Sequence, residues 1–141
     1  MDQKIVAKTK HGELTLDQLA EVQPGMARLM KEIGERYSIL YHSAKGGNWK
    51  LAQHELKQII SLMRAGEILR PKYSKDLTDF IESDLEKINK AIASKSWKDF
   101  DAAFKMGINR SNSLHEKYGY GFIRYVISGK APEGYDLTYR E

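Results

Sequence analysis

The sequence contains no cysteine among its 141 residues. Disulfides, zinc–cysteinate sites, iron–sulfur clusters, thiol catalysis and covalent c-type haem are therefore excluded. No apolar run approaches the ~20 residues that a membrane-spanning helix needs, and no signal-type apolar segment begins the chain. The 23 Lys and Arg against 19 Asp and Glu give a net charge of +4. That excess is too small to indicate nucleic-acid binding without a clustered basic patch.

The remaining composition is that of a folded helical domain. Hydrophobic residues make up 41% and charged residues 30% of the chain, which argues against both a disordered tail and a membrane protein. Apolar residues recur every three or four positions in four long stretches. These stretches begin near Pro24, at Asn48, at Ser74 or Pro71, and at Ser96, with Asn48 and Ser96 in the context of helix caps.

The order of these stretches predicts an all-α fold. Because short turns join the four helices, antiparallel neighbours are the simplest packing. We therefore expect an up-down-up-down four-helix bundle over residues 24–118, with a loose arm over 1–14 and an irregular tail over 119–141. The whole chain, 1–141, is expected to form a single domain. Thr15 starts a capping box that favours a short leading helix before the bundle.

The four histidines are the side chains with natural transition-metal affinity in this chain. No two of them stand four residues apart, and no Glu-x-x-His motif occurs, so a di-iron carboxylate site is not expected. His11 and His54 are expected at the surface, and His42 at the boundary of the bundle. His115 lies on the core side of the fourth helix. It is either a partly buried histidine bonded to a carbonyl or tyrosine, or a ligand to a bound group.

Aromatic residues cluster after the fourth helix. Tyrosine is a common boundary residue whose hydroxyl reaches water, so an ordinary surface and a binding pocket are both open at this point. We predict that a ligand or partner binds at this end of the molecule. The candidate binding residues are His115, Tyr118, Tyr120, Phe122 and Arg124. Among them, His115 is the candidate metal ligand.

Two segments resemble a family of small, helical, exported cytochrome-c-like proteins. One is Ser-Asn-Ser-Leu-His at 111–115, followed by Tyr-Gly-Tyr-Gly-Phe-Ile-Arg at 118–124. In that family a Cys-Asn-x-Cys-His element precedes a Gly-x-Gly/Pro-Phe-Ile-Arg stretch. The other is the Gly-Asn-Trp turn at 47–49 with its flanking residues. The resemblance covers about residues 24–126, and it implies a helical bundle with His115 in the position of the axial haem ligand.

The chain departs from this family at the residues that would hold haem covalently. Ser111 and Leu114 occupy the two cysteine positions, and neither side chain can form a thioether bond. Two hypotheses follow. In the favoured one, the protein has no cofactor and is a binding or accessory protein. In the other, haem is bound non-covalently through His115, as in an electron carrier or sensor.

No nucleophile–base pair or phosphate-binding loop is recognisable, so enzymatic activity is not expected. The expected partner is a small molecule or another protein, with no nucleic acid and no membrane span. A purely structural or oligomerisation module is a third possibility. The resembling family is exported, which implies a periplasmic or extracellular location, whereas a chain that starts at Met1 without a signal-type segment also fits the cytoplasm.

Overall fold

The computed structural model describes residues 6–141, and these residues are mostly helical. The elements in chain order are β1 (Val6–Thr9), β2 (Gly12–Thr15), α1 (Leu16–Val22), α2 (Met26–Gly46), α3 (Trp49–Leu69), a 3-10 turn (Pro71–Tyr73), α4 (Ser74–Asp79), a π-helical segment (Phe80–Leu85), α5 (Glu86–Ala93) and α6 (Trp97–Lys117). The predicted all-α class is therefore broadly correct, with one short hairpin added. Among residues 6–141, no helix is both long and apolar enough to cross a membrane.

The loose arm predicted for residues 1–14 is wrong where the structure describes it. β1 and β2 pair as an antiparallel hairpin in which Thr9 lies opposite Gly12. Gly12 has a φ of 130°, a conformation that glycine adopts without strain in a tight turn. Strands of four residues are too short for their alternation to stand out in the sequence. Residues 1–5 of the predicted arm lie outside the described residues.

Side-chain caps begin three helices at the positions that the sequence predicts. The Thr15 hydroxyl accepts from the Gln18 amide at 3.1 Å, and the Gln18 side chain accepts from the Thr15 amide at 2.9 Å, completing a capping box before α1. Asn48 and Ser96 cap α3 and α6 by accepting from the amide three residues on. Each cap satisfies an amide that has no partner within its own helix.

The third predicted helix contains a π-helical segment. α4, the segment Phe80–Leu85 and α5 follow one another without a break, and together they are called the third stretch below. A π turn inserts an extra residue into the helical repeat and shifts the face that the following side chains present. Within the segment Asp84 is buried together with its apolar neighbours. The third stretch therefore carries a carboxylate into the interior.

The long helices pack around one core. Its largest fully buried side chains are Leu40, Leu56, Ile59, Leu85, Ile88, Phe100 and Phe104. α2 packs against α3 and α6, and α5 packs against α6. Tyr118, directly after α6, meets Tyr73, directly before α4, with ring centroids 4.7 Å apart. The end of α6 and the start of the third stretch therefore lie at the same pole of the molecule.

The tail of residues 119–141 has no helix or strand, as predicted, but it is bonded to the helices. The Asn112 side chain donates to the Tyr125 carbonyl at 3.0 Å and accepts from the Tyr125 amide at 2.8 Å. Farther along, Nε2 of His42 lies 2.8 Å from the Ser128 carbonyl oxygen. The tail is consequently an ordered segment along the surface of the helices.

The end of the tail docks on the turn between α2 and α3. Asn48 donates to the Asp136 carbonyl at 2.7 Å, and Arg140 donates to the Gly46 carbonyl at 2.8 Å. A Cβ atom on Gly46 would lie 2.3 Å from the Leu137 carbonyl oxygen. The backbone of the tail therefore approaches this turn so closely that a side chain at position 46 does not fit.

Candidate functional site

A largely apolar cavity of about 530 Å³ opens at the pole where α2 begins and α6 ends. Its walls come from α2, α3, the third stretch, α6 and the tail. The apolar lining residues are Met26, Ala27, Met30, Ile33, Met63, Leu77, Phe80, Ile108, Leu114 and Ile123. The remaining lining residues are Lys31, Gly34, Tyr37, Tyr73, Asp76, Ser111, His115, Tyr118, Tyr120, Arg124 and Tyr125. Cavities of this size and lining are typical of small-molecule sites.

Four of the five predicted binding residues line this cavity. They are His115, Tyr118, Tyr120 and Arg124, which come from the end of α6 and from the tail. Phe122 is not a lining residue, and its side chain is 81% exposed on the outside of the tail. The predicted set is therefore brought together by the fold except for Phe122, which does not contribute to the cavity.

The ring of His115 is oriented by the tail. Its Nδ1 lies 2.8 Å from the Ile123 carbonyl oxygen. Because a carbonyl oxygen only accepts hydrogen bonds, Nδ1 carries the hydrogen in this contact, and Nε2 is the ring nitrogen left to bind a ligand. Histidines that bind metals are commonly oriented by the same kind of carbonyl contact. The geometry therefore fits both interpretations of His115, the bonded side chain and the ligand.

Asp76 joins the third stretch to the end of α6 at the rim of the cavity. Its carboxylate accepts hydrogen bonds from Lys117 Nζ at 2.8 Å and from the Tyr118 hydroxyl. These bonds, with that from Lys117 the strongest influence, lower the pKa of Asp76 below its ordinary value. The bond to Asp76 is also the main reason that the pKa of Tyr118 is raised. Tyr118 is therefore held at the rim in its neutral form.

Two tyrosines form the inner wall. The rings of Tyr37 and Tyr125 have centroids 5.8 Å apart. Burial raises the pKa of Tyr125 to about 12 and also raises the pKa of Tyr37, with smaller contributions there from Tyr125 and Asp84. The Tyr125 hydroxyl donates to the Gly34 carbonyl at 3.3 Å. The Tyr37 hydroxyl is buried without a hydrogen-bond partner among residues 6–141.

The residues at the family's two cysteine positions line the same cavity. Ser111 and Leu114 stand on α6 beside His115, so the segment that resembles the haem-attachment element faces the apolar space. Three methionines share the lining, which are Met26, Met30 and Met63. Thioether side chains are adaptable core fillers, and they are also weak metal ligands.

The cations at the mouth of the cavity are in contact with water. Lys31 on α2 and Arg124 in the tail are both exposed lining residues. Arg124 Nη1 lies 3.9 Å from the Glu116 carboxylate, and both side chains are 64% exposed. An exposed pair at this distance contributes little to stability. The charged groups therefore stand at the entrance, while neutral side chains line the inner wall.

Asp76 and Tyr37 are site residues that the sequence analysis did not single out. Asp76 is 41 positions from Lys117 along the chain, so no local spacing indicates their contact. Tyr37 follows the apolar period of α2 and has the pattern of an ordinary core residue. Of the other histidines, His11 and His54 are exposed as expected, and His42 is buried against the tail.

A second cavity of about 510 Å³ lies at the opposite pole, where the tail ends. Three cations line it, which are Lys50, Lys95 and Arg140. Lys50 is paired with Glu141, and Arg140 donates to the Gly46 carbonyl. None of the predicted binding residues lines this cavity. The first cavity is therefore the candidate functional site.

Among residues 6–141, no group of three or more His, Asp or Glu side chains is arranged to hold a metal ion. No protein-family model, curated protein or solved structure matches the chain. The cavity and the residues that line it are therefore the features that bear on function.

Proposed function

We propose that this protein is a non-catalytic binding protein that holds a small, mostly apolar molecule in the cavity beside His115. The observation that carries the proposal is the cavity of about 530 Å³ with its apolar walls and few fixed polar groups. Sites for small ligands have this size and lining. In this proposal the long helices form an up-down-up-down antiparallel four-helix bundle, and the ligand enters at the pole where α2 begins.

The way the wall is held favours a binding site over a packing defect. Protein interiors are close-packed, and each side chain around an open apolar space loses dispersion contacts. The tail wall is held by directional bonds, since Asn112 bonds both backbone groups of Tyr125, and His115 bonds the Ile123 carbonyl. Such bonds fix the shape of the wall, as is expected of a ligand-binding site.

Binding of the neutral dye Nile red, whose fluorescence rises in apolar surroundings, tests the proposal. Leu114 lines the cavity, so the larger ring in Leu114→Trp should fill the space and weaken dye binding about tenfold or more. Ile68 lies on α3, is 80% exposed and is not a lining residue, so Ile68→Trp is the matched control. Saturable binding by the wild type and by Ile68→Trp supports the proposal. Equal binding by Leu114→Trp and the wild type contradicts it.

A second candidate function is non-covalent haem binding by an electron carrier or sensor. The contact between His115 Nδ1 and the Ile123 carbonyl favours it, because Nε2 is then the nitrogen available to iron. The lining also offers methionine sulfur, and histidine and methionine are common haem ligands. Ser111 and Leu114 allow no thioether bond, so the apolar walls would have to retain the group. Bound haem would supply one-electron or gas-binding chemistry.

A haem titration followed by visible spectroscopy separates the two functions. If haem is the ligand, a Soret band saturates at one equivalent, is lost in His115→Ala and is kept in His54→Ala. His54 is the matched control because it is exposed on α3 and does not line the cavity. The absence of a band in the wild type at every haem concentration contradicts haem binding and leaves the first proposal standing.

A further inference from the structure

We infer that the cavity binds a neutral, mostly apolar molecule that carries one hydrogen-bonding oxygen, and that this oxygen bonds to the Tyr37 hydroxyl. The inference rests on the proposed function and adds the chemical class of the ligand. Alcohols, phenols, ethers and ketones with a large apolar body belong to this class. Haem, whose polar groups are carboxylates, does not.

The hydroxyl of Tyr37 is the unsatisfied group in the inner wall. Tyr37 is only 6% exposed, and its hydroxyl has no hydrogen-bond partner within the described residues 6–141. Its ring packs between Phe104 and Tyr125 at centroid distances of 5.3 and 5.8 Å, so it cannot swing out to water. Buried hydroxyls are nearly always bonded, and one left unbonded is costly. A ligand oxygen would supply the missing partner.

The position of Tyr37 on α2 directs its side chain toward the cavity. Helical side chains lean toward the N-terminus of their helix. The residues one and two turns before Tyr37, Ile33 and Met30, line the cavity. The hydroxyl itself is closed off, so in this inference the adaptable side chains of Met30 and Met63 in the lining shift when the ligand oxygen reaches it.

The surroundings of Tyr37 favour a neutral ligand oxygen over a carboxylate. Asp84 is buried, and its charge makes a small contribution to the raised pKa of Tyr37. Within residues 6–141 its Oδ2 accepts no hydrogen bond, and the cation paired with it is Arg110 at 3.6 Å. A second negative charge placed here would be repelled by Asp84 in a medium of low dielectric constant. The cations Lys31 and Arg124 stand at the exposed mouth instead.

Three naphthalene probes of similar size test the inference at pH 7 by calorimetry. They are 2-naphthol with a neutral hydroxyl, 2-methylnaphthalene without a polar group, and 2-naphthoate with a carboxylate. We expect the wild type to bind 2-naphthol about fivefold to tenfold more tightly than 2-methylnaphthalene, and 2-naphthoate most weakly. Tyr37→Phe should abolish the preference for 2-naphthol without weakening 2-methylnaphthalene. Tyr41→Phe is the matched control, because Tyr41 lies one turn later on α2 and does not line the cavity.

Thermal unfolding without any probe gives an independent readout. Removal of an unbonded hydroxyl should raise the Tm of Tyr37→Phe above that of the wild type, whereas Tyr125→Phe loses a bond and should not gain. A Tm of Tyr37→Phe at or below the wild-type value overturns the inference, because the hydroxyl would already be satisfied.

The probe series also separates this inference from the proposed function. Equal affinity of the wild type for 2-naphthol and 2-methylnaphthalene overturns the inference alone, because the cavity would still bind an apolar body. The same holds if 2-naphthoate binds as tightly as 2-naphthol. Failure of all three probes to bind overturns the inference and the proposed function together. These comparisons use the wild type and do not depend on any variant.

Discussion

At the scale of single residues, the buried polar side chains divide into those with partners and those without. Glu55 is 3% exposed and accepts from Arg36 Nη1 at 2.9 Å, which ties α3 to α2. By contrast, the Tyr37 hydroxyl and Asp84 Oδ2 have no hydrogen-bond partner inside the described range of 6–141, although Arg110 pairs with Asp84 at 3.6 Å. Buried charges and hydroxyls without partners cost stability. Tyr37 lines the cavity, and a binding site is expected to carry such a cost.

The buried tyrosines predict a loss of stability at alkaline pH. Burial holds the pKa of Tyr125 at about 12, above the ordinary value of 10.0. Its neutral hydroxyl therefore contributes stability that is fully present below pH 10 and lost as the pH rises through about 12. The free energy of unfolding, measured by urea titration, should fall between pH 10 and 11.5 by up to about 1 kcal/mol per pH unit for this residue.

Two variants test whether Tyr125 causes this alkaline slope, which is the fall in the free energy of unfolding per pH unit. Tyr125→Phe should reduce the slope, because one fewer partly buried phenol has to stay protonated in the folded chain. Tyr135→Phe removes a tyrosine that is about half exposed in the tail, and it should leave the slope as in the wild type. Equal slopes for the wild type and Tyr125→Phe would show that this hydroxyl does not control the alkaline transition.

At the scale of elements, the ends of the helices decide which groups meet at the cavity. The third stretch begins with Asp76 in its first turn, and α6 ends with Lys117 in its last turn. An acidic residue near a helix start and a basic residue near a helix end each complement the local backbone dipole. Because the two ends lie side by side, the same residues also bond to each other across the rim.

Replacing Asp76 should destabilise this junction in a pH-dependent way. The pKa of Asp76 is lowered from its ordinary value of 3.8, so its contribution is present above about pH 4 and is lost as the pH falls through the lowered pKa. Asp76→Asn should lower the free energy of unfolding by about 1 kcal/mol at pH 7. The difference from the wild type should shrink in urea titrations at pH 3 and below.

The neighbouring carboxylate provides the control for this junction. Asp79 belongs to the same helix, α4, and is exposed. Asp79→Asn should change the free energy of unfolding by less than about 0.5 kcal/mol at either pH. A gap between Asp76→Asn and the wild type that stays constant from pH 7 to pH 2 would rule out the carboxylate as its source.

At the scale of the whole molecule, the tail supplies one wall of the cavity at the end of the helices. Ile123, Arg124 and Tyr125 line the space, although they belong to no helix. Their segment is held by Asn112 and His115 at one pole, while the end of the chain docks separately on the turn between α2 and α3 at the other. The two attachments are therefore expected to loosen independently.

Two glycines on α2 test that independence. A Cβ at Gly46 would lie 2.3 Å from the Leu137 carbonyl oxygen, whereas one at Gly34 would lie 3.6 Å from the Tyr125 ring. Gly46→Ala should release the end of the tail and speed the amide hydrogen exchange of Thr138, the residue of 136–141 whose amide bonds to the Asp136 side chain. Nile red binding should not change.

Gly34→Ala serves as the matched helical substitution. Its added methyl group makes an ordinary contact, so the better helix propensity of alanine should stabilise the protein by up to about 1 kcal/mol. Exchange of the Thr138 amide should stay at the wild-type rate in this variant. Unchanged exchange in Gly46→Ala would contradict the docking of the tail on this turn.

Much of the fold could be predicted because its signals are local. Caps at Thr15, Asn48 and Ser96 and the three- to four-residue apolar period need only neighbouring residues to be recognised. The hairpin was missed because its strands have four residues each. The π-helical segment was missed because its extra residue changes the helical ladder without a distinctive local sequence signal.

The sequence by itself determined the helical class, the helix starts and the impossibility of thioether-bound haem, because each depends on residue type or on short-range spacing. The candidate binding residues that it indicated include His115, Tyr118, Tyr120 and Arg124. Only the tertiary structure decided that these residues share a cavity with residues of α2, α3 and the third stretch. The same holds for the contacts of Asp76 and the unsatisfied hydroxyl of Tyr37, because they depend on side chains that meet across distances no sequence period encodes.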